Sequence, residues 1–133
     1  MKTFLIVKNW LLVIFHLMLD ESCLFCKIIT GKIPAKKVFE NEDILAFTDI
    51  NPCAEHHYLI IPKDHIQNLN EMQDNHKNIL GEILLTASRL ASELGFAEKG
   101  YRIVANTNED GGQTVHHFHL HLIAGRKLEW PPG

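Results

Sequence analysis

The sequence predicts an α+β fold, in which an antiparallel sheet of about five short strands packs against one long and one short helix. Short segments rich in branched and aromatic residues alternate with turn-forming residues along the chain. A single longer stretch, residues 71–94, repeats apolar residues at the spacing of a helix. Because only short turns separate most of the strand segments, antiparallel neighbours are expected, and the long helix is expected to cover the sheet.

The first elements follow from local punctuation. Residues 24–29 are typical of a short helical turn after the first cysteine, which Gly31 ends before Pro34 restores an extended path. Turn residues at 41–43 and 51–52 then separate the next segments. Strands are predicted at residues 37–40, 44–49, 57–61, 101–105 and 115–123.

The long helix carries the main apolar pattern and stops at Gly95, a typical C-terminal end. Its apolar positions are Met72, Ile79, Leu80, Ile83, Leu84, Ala87, Leu90, Ala91 and Leu94. The 133 residues are enough for one core, and no repeat, linker or second domain is evident.

Residues 1–22 are predicted to be an apolar extension ahead of a single domain at residues 23–133. The apolar run at residues 10–19 follows two lysines, as in a signal peptide, but polar residues interrupt it and no small-residue cleavage site follows. The run is also shorter than the ~20 apolar residues of a membrane span. We therefore expect translation to begin at Met18, with no membrane contact unless the extension is made and retained.

Charge and cysteine usage narrow the function. The formal net charge is −3 and the lysines are dispersed, so the chain lacks the basic stripe that nucleic-acid binding requires. Any nucleotide is expected as a small molecule. Three cysteines do not form a disulfide framework, and Cys23-x-x-Cys26 favours metal or redox chemistry in a reducing compartment. We expect a cytoplasmic protein in which Cys53 is an isolated thiol.

Histidines alternate with apolar residues near the C-terminus. Side chains two apart on a strand share a face, so His117, His119 and His121 should project together while the residues between them face a core. The outer two would lie roughly 13 Å apart, too far to share one ion with ~2 Å Zn–N bonds. The three imidazoles are therefore expected to divide the roles of nucleophile, proton donor and ligand. The alternative is a solvated strand or a tract that collects metal unselectively.

Paired glycines and a hydroxyl precede this strand. Gly111 and Gly112 allow positive φ and close backbone approach, so free N–H groups there, with the Thr114 hydroxyl, are candidates to bind a phosphate. A hairpin turn would explain the glycines but not the histidines that follow them.

The histidine segment resembles the His-x-His-x-His signature of the histidine-triad (HIT) superfamily. Residues 111–133, which end in Trp-Pro-Pro-Gly, are similar to its HINT branch, and further matches lie at residues 33–36, 45–50 and 59–65. The resemblance covers residues 23–133. It implies helices on one side of the sheet, a homodimer whose sheets join, and a C-terminal segment near the partner's site, where Trp130 helps to select substrate.

The same resemblance implies a hydrolase of nucleoside 5′-phosphoramidates that uses no organic cofactor. His119 would attack the α-phosphorus to give a covalent nucleotidyl-histidine, its Nδ1 proton held by a backbone carbonyl. His121 would assist proton transfer to the leaving amine, and His117 and His57 would complete the catalytic set. Two alternatives stay open: a dinucleoside polyphosphate hydrolase or nucleotidyltransferase of another HIT branch, and a non-catalytic nucleotide-binding regulator.

The HINT pattern further implies contacts to a purine nucleotide. Asp49 would bind the ribose hydroxyls, Ile50 the base, and Asn106 the phosphate and sugar. The residues expected at the phosphate are Gly112, Gln113, Thr114, His119 and His121. From the residues alone, Asp49 fits a solvated or capping carboxylate and His57 an ordinary polar residue. Departures from the family pattern, histidine at 116 and threonine at 114, leave the substrate preference open.

A zinc site is the remaining prediction. A C-x2-C turn lets the thiolates of Cys23 and Cys26 meet a tetrahedral ion from one direction. The residues alone leave four candidates for the other ligands: His57, His65, His76 and His117. The family resemblance selects His65 and His117. Four protein ligands leave no open position, so the zinc would be structural. The alternative is a metal-free turn in which two cysteines simply pack.

Overall fold

The computed structural model describes residues 19–133, so the predicted extension at residues 1–22 lies almost wholly outside the described residues. In residues 19–133 the chain forms five strands and two α-helices. The strands are β1 (Lys37–Glu40), β2 (Ile44–Thr48), β3 (His56–Pro62), β4 (Arg102–Val104) and β5 (Leu120–Ala124), and the helices are α1 (Leu24–Ile29) and α2 (Lys77–Glu93). None of the helices in this part of the chain combines the length and the apolar character needed to cross a membrane.

The strands form one antiparallel sheet in the order β1-β2-β3-β5-β4. This confirms the predicted five-stranded α+β fold. β3 and β5 lie side by side near the middle, and their register places Leu59 opposite His121. β1 and β4 are the two edges of the sheet.

The sheet separates two cores, and the two helices lie on opposite faces of it. α2 packs on the face that carries Ile44, Ala46, Ile60 and Leu122. α1 packs on the other face, against Leu45, Phe47, Leu59 and Ile61. The expectation that the helices share one side is therefore wrong. Its physical cause is the strand alternation: β2 is buried on both faces, so each face needs its own cover.

The long helix begins later than predicted. α2 starts at Lys77, and two 3-10 turns, Leu69–Glu71 and Asp74–His76, precede it. The Asn68 side chain accepts from the Asn70 N–H at 3.0 Å and caps the first turn, after which the backbone at Met72 is extended. Met72 still packs against the α2-side core, which explains why the apolar pattern runs ahead of the helix.

The last strand is shorter than predicted at its start. β5 begins at Leu120, so residues 115–119 lie outside the strand ladders of the described chain. The Phe118 N–H donates instead to the carbonyl of Ile66 at 2.6 Å, in the loop after β3. The alternation of side chains persists: Phe118 is buried on the α2 side, and His117 and His119 are buried away from it.

Candidate active site and metal centre

His119 lies directly before β5, buried on the α1 side of the sheet with 6% of its surface exposed. Its Nδ1 lies 2.7 Å from the backbone carbonyl oxygen of His117. A carbonyl oxygen only accepts, so Nδ1 carries the proton and Nε2 carries the lone pair. Burial lowers the pKa of His119, against the opposing effects of this hydrogen bond and of the Asp49 charge. The ring is therefore neutral near pH 7, with its nucleophilic nitrogen at Nε2.

His121 forms a hydrogen-bonded pair with His57 on the neighbouring strand. The His57 Nε2 lies 2.9 Å from the His121 Nδ1, and the backbone N–H of Cys53 donates to the His57 Nδ1 at 3.1 Å. Because that N–H only donates, the proton of neutral His57 is at Nε2 and is donated to His121 Nδ1. His121 then carries its own proton at Nε2.

Burial keeps both rings of this pair neutral. It lowers the pKa of His57, against the charge of Asp49, which raises it. Burial, with the neighbouring rings of His119 and His57, lowers the pKa of His121 to about 4. Near pH 7 both imidazoles are therefore neutral, and one hydrogen bond from His57 to His121 joins them.

Asp49 follows β2 and meets the same pair. Its Oδ1 accepts from the Asn51 N–H at 2.8 Å, which is the capping role predicted from the residues alone. Its Oδ2 lies 3.4 Å from the His57 Nε2. One carboxylate thus caps a turn and places a negative charge beside the histidines. The contact of Asp49 with a ribose stays a prediction.

Aromatic contacts complete the row of rings. The centroids of His119 and His121 are 5.0 Å apart, and those of His121 and His57 are 5.2 Å apart. Phe25 of α1 stands edge-on to His119 at 5.1 Å and to His117 at 5.9 Å. Three imidazoles therefore form a continuous row, and Phe25 borders its buried end.

The glycine loop forms hydrogen bonds of its own. The N–H of Gly112 donates to the Glu109 carbonyl at 2.9 Å, and that of Gln113 donates to the Asn108 carbonyl at 3.0 Å. The Gln113 side chain is also engaged, since its Nε2 donates to the Gln67 carbonyl at 2.7 Å. These N–H groups are used within the loop in this structure, and the predicted phosphate contact stays a prediction.

The other predicted nucleotide contacts are more accessible. Ile50 is 89% exposed, an unusual exposure for a branched apolar side chain. Thr114 is exposed and lines a cavity of about 300 Å³ together with Cys23 and His65. Asn106 is half-buried in the loop after β4. Their roles in binding stay predictions.

A second cluster lies beside this row. One donor atom from each of Cys23, Cys26, His65 and His117 lies within 4.8 Å of the others, which brings together the set that the resemblance selects. Cys23 caps the start of α1, where its Sγ accepts from the Cys26 N–H at 3.4 Å, so the helix start turns both thiols inward. His76, a candidate from the residues alone, instead caps a 3-10 turn by accepting from the Gln73 N–H at 2.9 Å.

The spacing of these donors fits a tetrahedral zinc ion. Zn–S bonds of about 2.3 Å and Zn–N bonds of about 2.0 Å separate S from N by roughly 3.5 Å and N from N by roughly 3.3 Å. The His117 Nδ1 lies 3.4 and 3.6 Å from the Sγ atoms of Cys23 and Cys26, and 3.2 Å from the His65 Nδ1. The Cys26 Sγ lies 3.4 Å from the His65 Nδ1.

The other group of possible metal donors, Asp49, His57 and His121, does not fit as well. Its two ring nitrogens are 2.9 Å apart, closer than the roughly 3.3 Å expected for two ligands of one zinc ion. That separation is an ordinary hydrogen-bond length. The group is therefore a proton-bearing pair next to a carboxylate.

At the ring nitrogen that faces away from the Cys2His2 cluster, His117 has a hydrogen-bond acceptor and His65 has a nearby carboxylate. The His117 Nε2 lies 2.8 Å from the Pro62 carbonyl oxygen, so its proton is there and Nδ1 is free to bind a cation. The His65 Nε2 lies 3.8 Å from the Asp20 Oδ2. Such outer partners are typical of zinc-binding histidines. Sequence reasoning did not identify the Pro62 carbonyl or the Asp20 carboxylate, because only the tertiary structure brings them next to these histidines.

The protonation states of the donor side chains are also compatible with a bound cation. Burial lowers the pKa of His117 to about 4, which keeps the neutral form that binds metal. Burial raises the pKa of the Cys26 thiol to about 12. A zinc ion offsets that cost, since a thiol that coordinates it is deprotonated.

The fold and the site together define a class of small α+β proteins that present a row of neutral histidines on one side of an antiparallel sheet. Residues 30–128 match the HIT domain. The chain belongs to the HIT family, which confirms the resemblance seen in the sequence.

Named relatives bear on the activity and the metal. The adenylylsulfatase HINT1 of Arabidopsis thaliana is 46% identical over 116 residues, which cover 86% of this chain and 78% of that protein. The 14 kDa zinc-binding protein of Zea mays is also 46% identical over 116 residues, which cover 86% of this chain and 90% of that protein. A crystal structure of a HIT family hydrolase from Legionella pneumophila Philadelphia 1 matches with a TM-score of 0.82 and 54% identity, and covers 84% of this chain and 99% of that chain. These findings support a hydrolase.

Proposed function

We propose that the protein hydrolyses purine nucleoside 5′-phosphoramidates through a covalent intermediate on His119. The observation that carries this proposal is the 2.7 Å hydrogen bond from the His119 Nδ1 to the His117 carbonyl, which leaves the lone pair on a neutral Nε2. A buried neutral imidazole of this tautomer is suited to attack phosphorus.

The first step forms a bond from His119 Nε2 to the α-phosphorus as the P–N bond breaks. The leaving nitrogen takes the bonding pair and a proton drawn from solvent, and the neutral His121 assists this transfer by donating a hydrogen bond from its Nε2. The nucleotidyl ring of His119 becomes positively charged, and its centroid lies 5.0 Å from that of His121, which stays neutral. His57 donates to His121 Nδ1 and so keeps the His121 proton at Nε2.

In the second step water attacks the same phosphorus, the bond from phosphorus to His119 Nε2 breaks, and one proton of the water returns to solvent with the assistance of His121. The nucleoside monophosphate is released and His119 is neutral again. Asp49 is proposed at the ribose and Ile50, with 89% of its surface exposed, at the base. Asn106, Gly112, Gln113 and Thr114 are proposed near the phosphate.

The test is covalent capture with an AMP phosphoramidate, followed by mass spectrometry of the quenched protein. We expect an AMP adduct on the wild type, none on His119→Ala, and a rate at least ~10³-fold lower for that variant. His76→Ala is the control, because that histidine lies outside the site. Equal turnover by wild type and His119→Ala would contradict the proposal.

A second reaction at the same phosphorus is favoured by the Arabidopsis relative, whose name is adenylylsulfatase. The leaving group would then be sulfate in place of an amine. Turnover of an AMP phosphoramidate, adenylyl sulfate and a diadenosine polyphosphate, compared at equal concentration, separates these activities. Tight AMP binding with turnover of none would indicate the non-catalytic regulator.

We also propose a structural zinc ion held by Cys23, Cys26, His65 and His117. Its support is the agreement of four donor separations with a tetrahedral ion and the two outer acceptors. Metal analysis after dialysis against a mild chelator should find about one zinc per chain. A content far below that would contradict the assignment.

A further inference from the structure

His117 belongs to two sites at once. Its side chain is fully buried, with Nδ1 facing the thiols of Cys23 and Cys26 and Nε2 donating to the Pro62 carbonyl at 2.8 Å. Its backbone carbonyl, on the same residue, accepts the Nδ1 proton of His119 at 2.7 Å. One residue therefore connects the Cys2His2 cluster with the candidate nucleophile.

We propose that His117 is a positioning residue for the nucleophile: when its Nδ1 binds the cation of the Cys2His2 cluster, its carbonyl is fixed where it holds His119 in the reactive tautomer. The catalytic part of this inference rests on the proposed function, and the structural part does not. The metal centre would then act on turnover without touching substrate.

The backbone around His117 makes this dependence physical. Residues 115–119 lie outside the strand ladders of the described chain, so sheet pairing does not fix the carbonyl of His117. The fixed points nearby are the bond from Phe118 N–H to the Ile66 carbonyl, the bond from Gln113 Nε2 to the Val115 carbonyl at 3.1 Å, and the side-chain anchors of His117. Neither backbone bond involves the His117 carbonyl itself, so loss of the Nδ1 anchor leaves the bond to Pro62 as the remaining side-chain restraint on that residue.

The tautomers of the cluster differ with and without a cation. The His117 proton is committed to Pro62, so without a cation its Nδ1 needs a donor, either a weak thiol S–H or the His65 Nδ1 at 3.2 Å. If His65 donates there, its Nε2 loses the proton and faces the Asp20 carboxylate, two acceptors together. With a cation bound, His65 carries its proton at Nε2, and that N–H faces the Asp20 carboxylate at 3.8 Å.

Phe25 provides a second connection. It lies between the two cysteines in α1, and its ring packs edge-on against His117 and His119 at 5.9 and 5.1 Å. Loss of the thiolate ligands would loosen the start of α1, and with it the wall that bounds the nucleophile ring. The two connections act on the same imidazole.

The expected signature separates positioning from binding. The residues proposed at ribose and base, Asp49 and Ile50, follow β2 and make no described contact with the Cys2His2 cluster. Zinc removal should therefore lower kcat by about 10–100-fold while KM changes little. It should also turn the single His119 tautomer into a mixture.

The experiment compares zinc-loaded, zinc-stripped and zinc-restored protein by ¹⁵N NMR of the histidine rings and by steady-state kinetics. The loaded protein should show one protonated and one unprotonated ring nitrogen for His119, the stripped protein averaged signals, and restored zinc should reverse the change. Far-UV circular dichroism checks that the stripped protein is folded. Cys26→Ser should reproduce the stripped state.

Thr30→Ala is the matched control, because the Thr30 hydroxyl donates to the Cys26 carbonyl at 3.1 Å and stabilises α1 without offering a ligand. It should keep the His119 signals and kcat. If Cys26→Ser fails to fold, Asp20→Asn studied at limiting zinc replaces it. A folded, stripped protein with an unchanged His119 tautomer and unchanged kcat would overturn the proposal. A single tautomer that depends on zinc, in a protein that turns over no substrate, would support the positioning role and contradict the proposed function.

Discussion

At the scale of single residues, one backbone amide determines where two histidines keep their protons. The N–H of Cys53 donates to His57 Nδ1, which places the His57 proton at Nε2 and the His121 proton on the side away from His57. Nothing in the residue type of Cys53 suggests this role. Side-chain chemistry identified the histidines, but a backbone group assigns their tautomers.

The pH dependence of stability follows from this pair. Burial lowers the pKa of His57, and lowers that of His121 to about 4, so in the unfolded chain these rings take up protons at a higher pH than in the folded protein. Stability is therefore fully present above about pH 6.5 and is lost as the pH falls towards 4. We expect His121 to account for about 1–2 kcal/mol of this loss after allowance for its partial exposure. Urea unfolding at pH 7 and pH 4.5 measures it, and His121→Gln should show a smaller difference.

Asp20 offers a residue-scale test of the metal centre. Replacing it with asparagine removes the carboxylate that faces the His65 Nε2, and should weaken zinc binding by about 10–100-fold. Competition with a chromogenic zinc chelator measures the affinity. Glu21→Gln changes the adjacent exposed acid and should leave it unchanged, whereas equal loss in both variants would point to net charge alone.

At the scale of elements, the sequence predicted type and order well and boundaries unevenly. The bounds of α1 and β1 agree with the prediction, and β2 ends one residue earlier than predicted. The starts of α2 and β5 are wrong for a common reason. Apolar periodicity reports which face a side chain takes, and Met72 and Phe118 take the core face although Met72 lies outside an α-helix and Phe118 outside a strand ladder.

The site was predictable to the same depth. The histidine row and the Cys2His2 set follow from spacing and resemblance, because those residues carry the chemistry themselves. The groups that contact these histidines, Pro62, Asp20 and Phe25, are distant from them in sequence. Only the folded structure identifies them. The hydrogen bonds of the glycine loop to the carbonyls of residues 108 and 109 also required the fold.

Two glycines, one inside α2 and one after its end, test how backbone conformation affects the stability of this helix. Gly81 lies inside the helix with space around an added Cβ, so Gly81→Ala should stabilise the protein by about 0.5–1 kcal/mol. Gly95 ends the helix at φ +88°, and Gly95→Ala should destabilise it by about 1–2 kcal/mol although the space is also open. Thermal unfolding of both variants measures the contrast. A change of the same sign in both would show that backbone conformation does not decide these positions.

At the scale of the whole molecule, a group of exposed apolar side chains lies away from the histidines, around β4 and α2. The histidines and the metal cluster lie with α1, whereas β4 is an edge strand and α2 covers the opposite face. Large apolar side chains are exposed on these two elements and next to them: Leu84, Leu85, Leu94, Tyr101 and Ile103. We propose that a second copy of the chain covers them and extends the sheet edge to edge.

The homodimer is tested by charge on the edge strand. Ile103→Lys should shift the protein from dimer to monomer in light scattering coupled to size-exclusion chromatography, because a lysine opposes strand pairing. Ile50→Lys is the control, since it adds the same charge to an exposed isoleucine after β2, three strands away from β4. A monomeric wild type would contradict the proposal directly.

Cys53 also makes a backbone hydrogen bond to the C-terminal segment. Its carbonyl accepts a hydrogen bond from the Arg126 guanidinium at 3.2 Å, and its N–H donates to His57. A few residues after Arg126, the Glu129 carbonyl accepts a hydrogen bond from Arg102 at 2.8 Å. We therefore expect a bulky fusion after residue 133 to disturb these contacts and, through Cys53, the tautomers of His57 and His121, so tagged and untagged protein should be compared before either is used for kinetics.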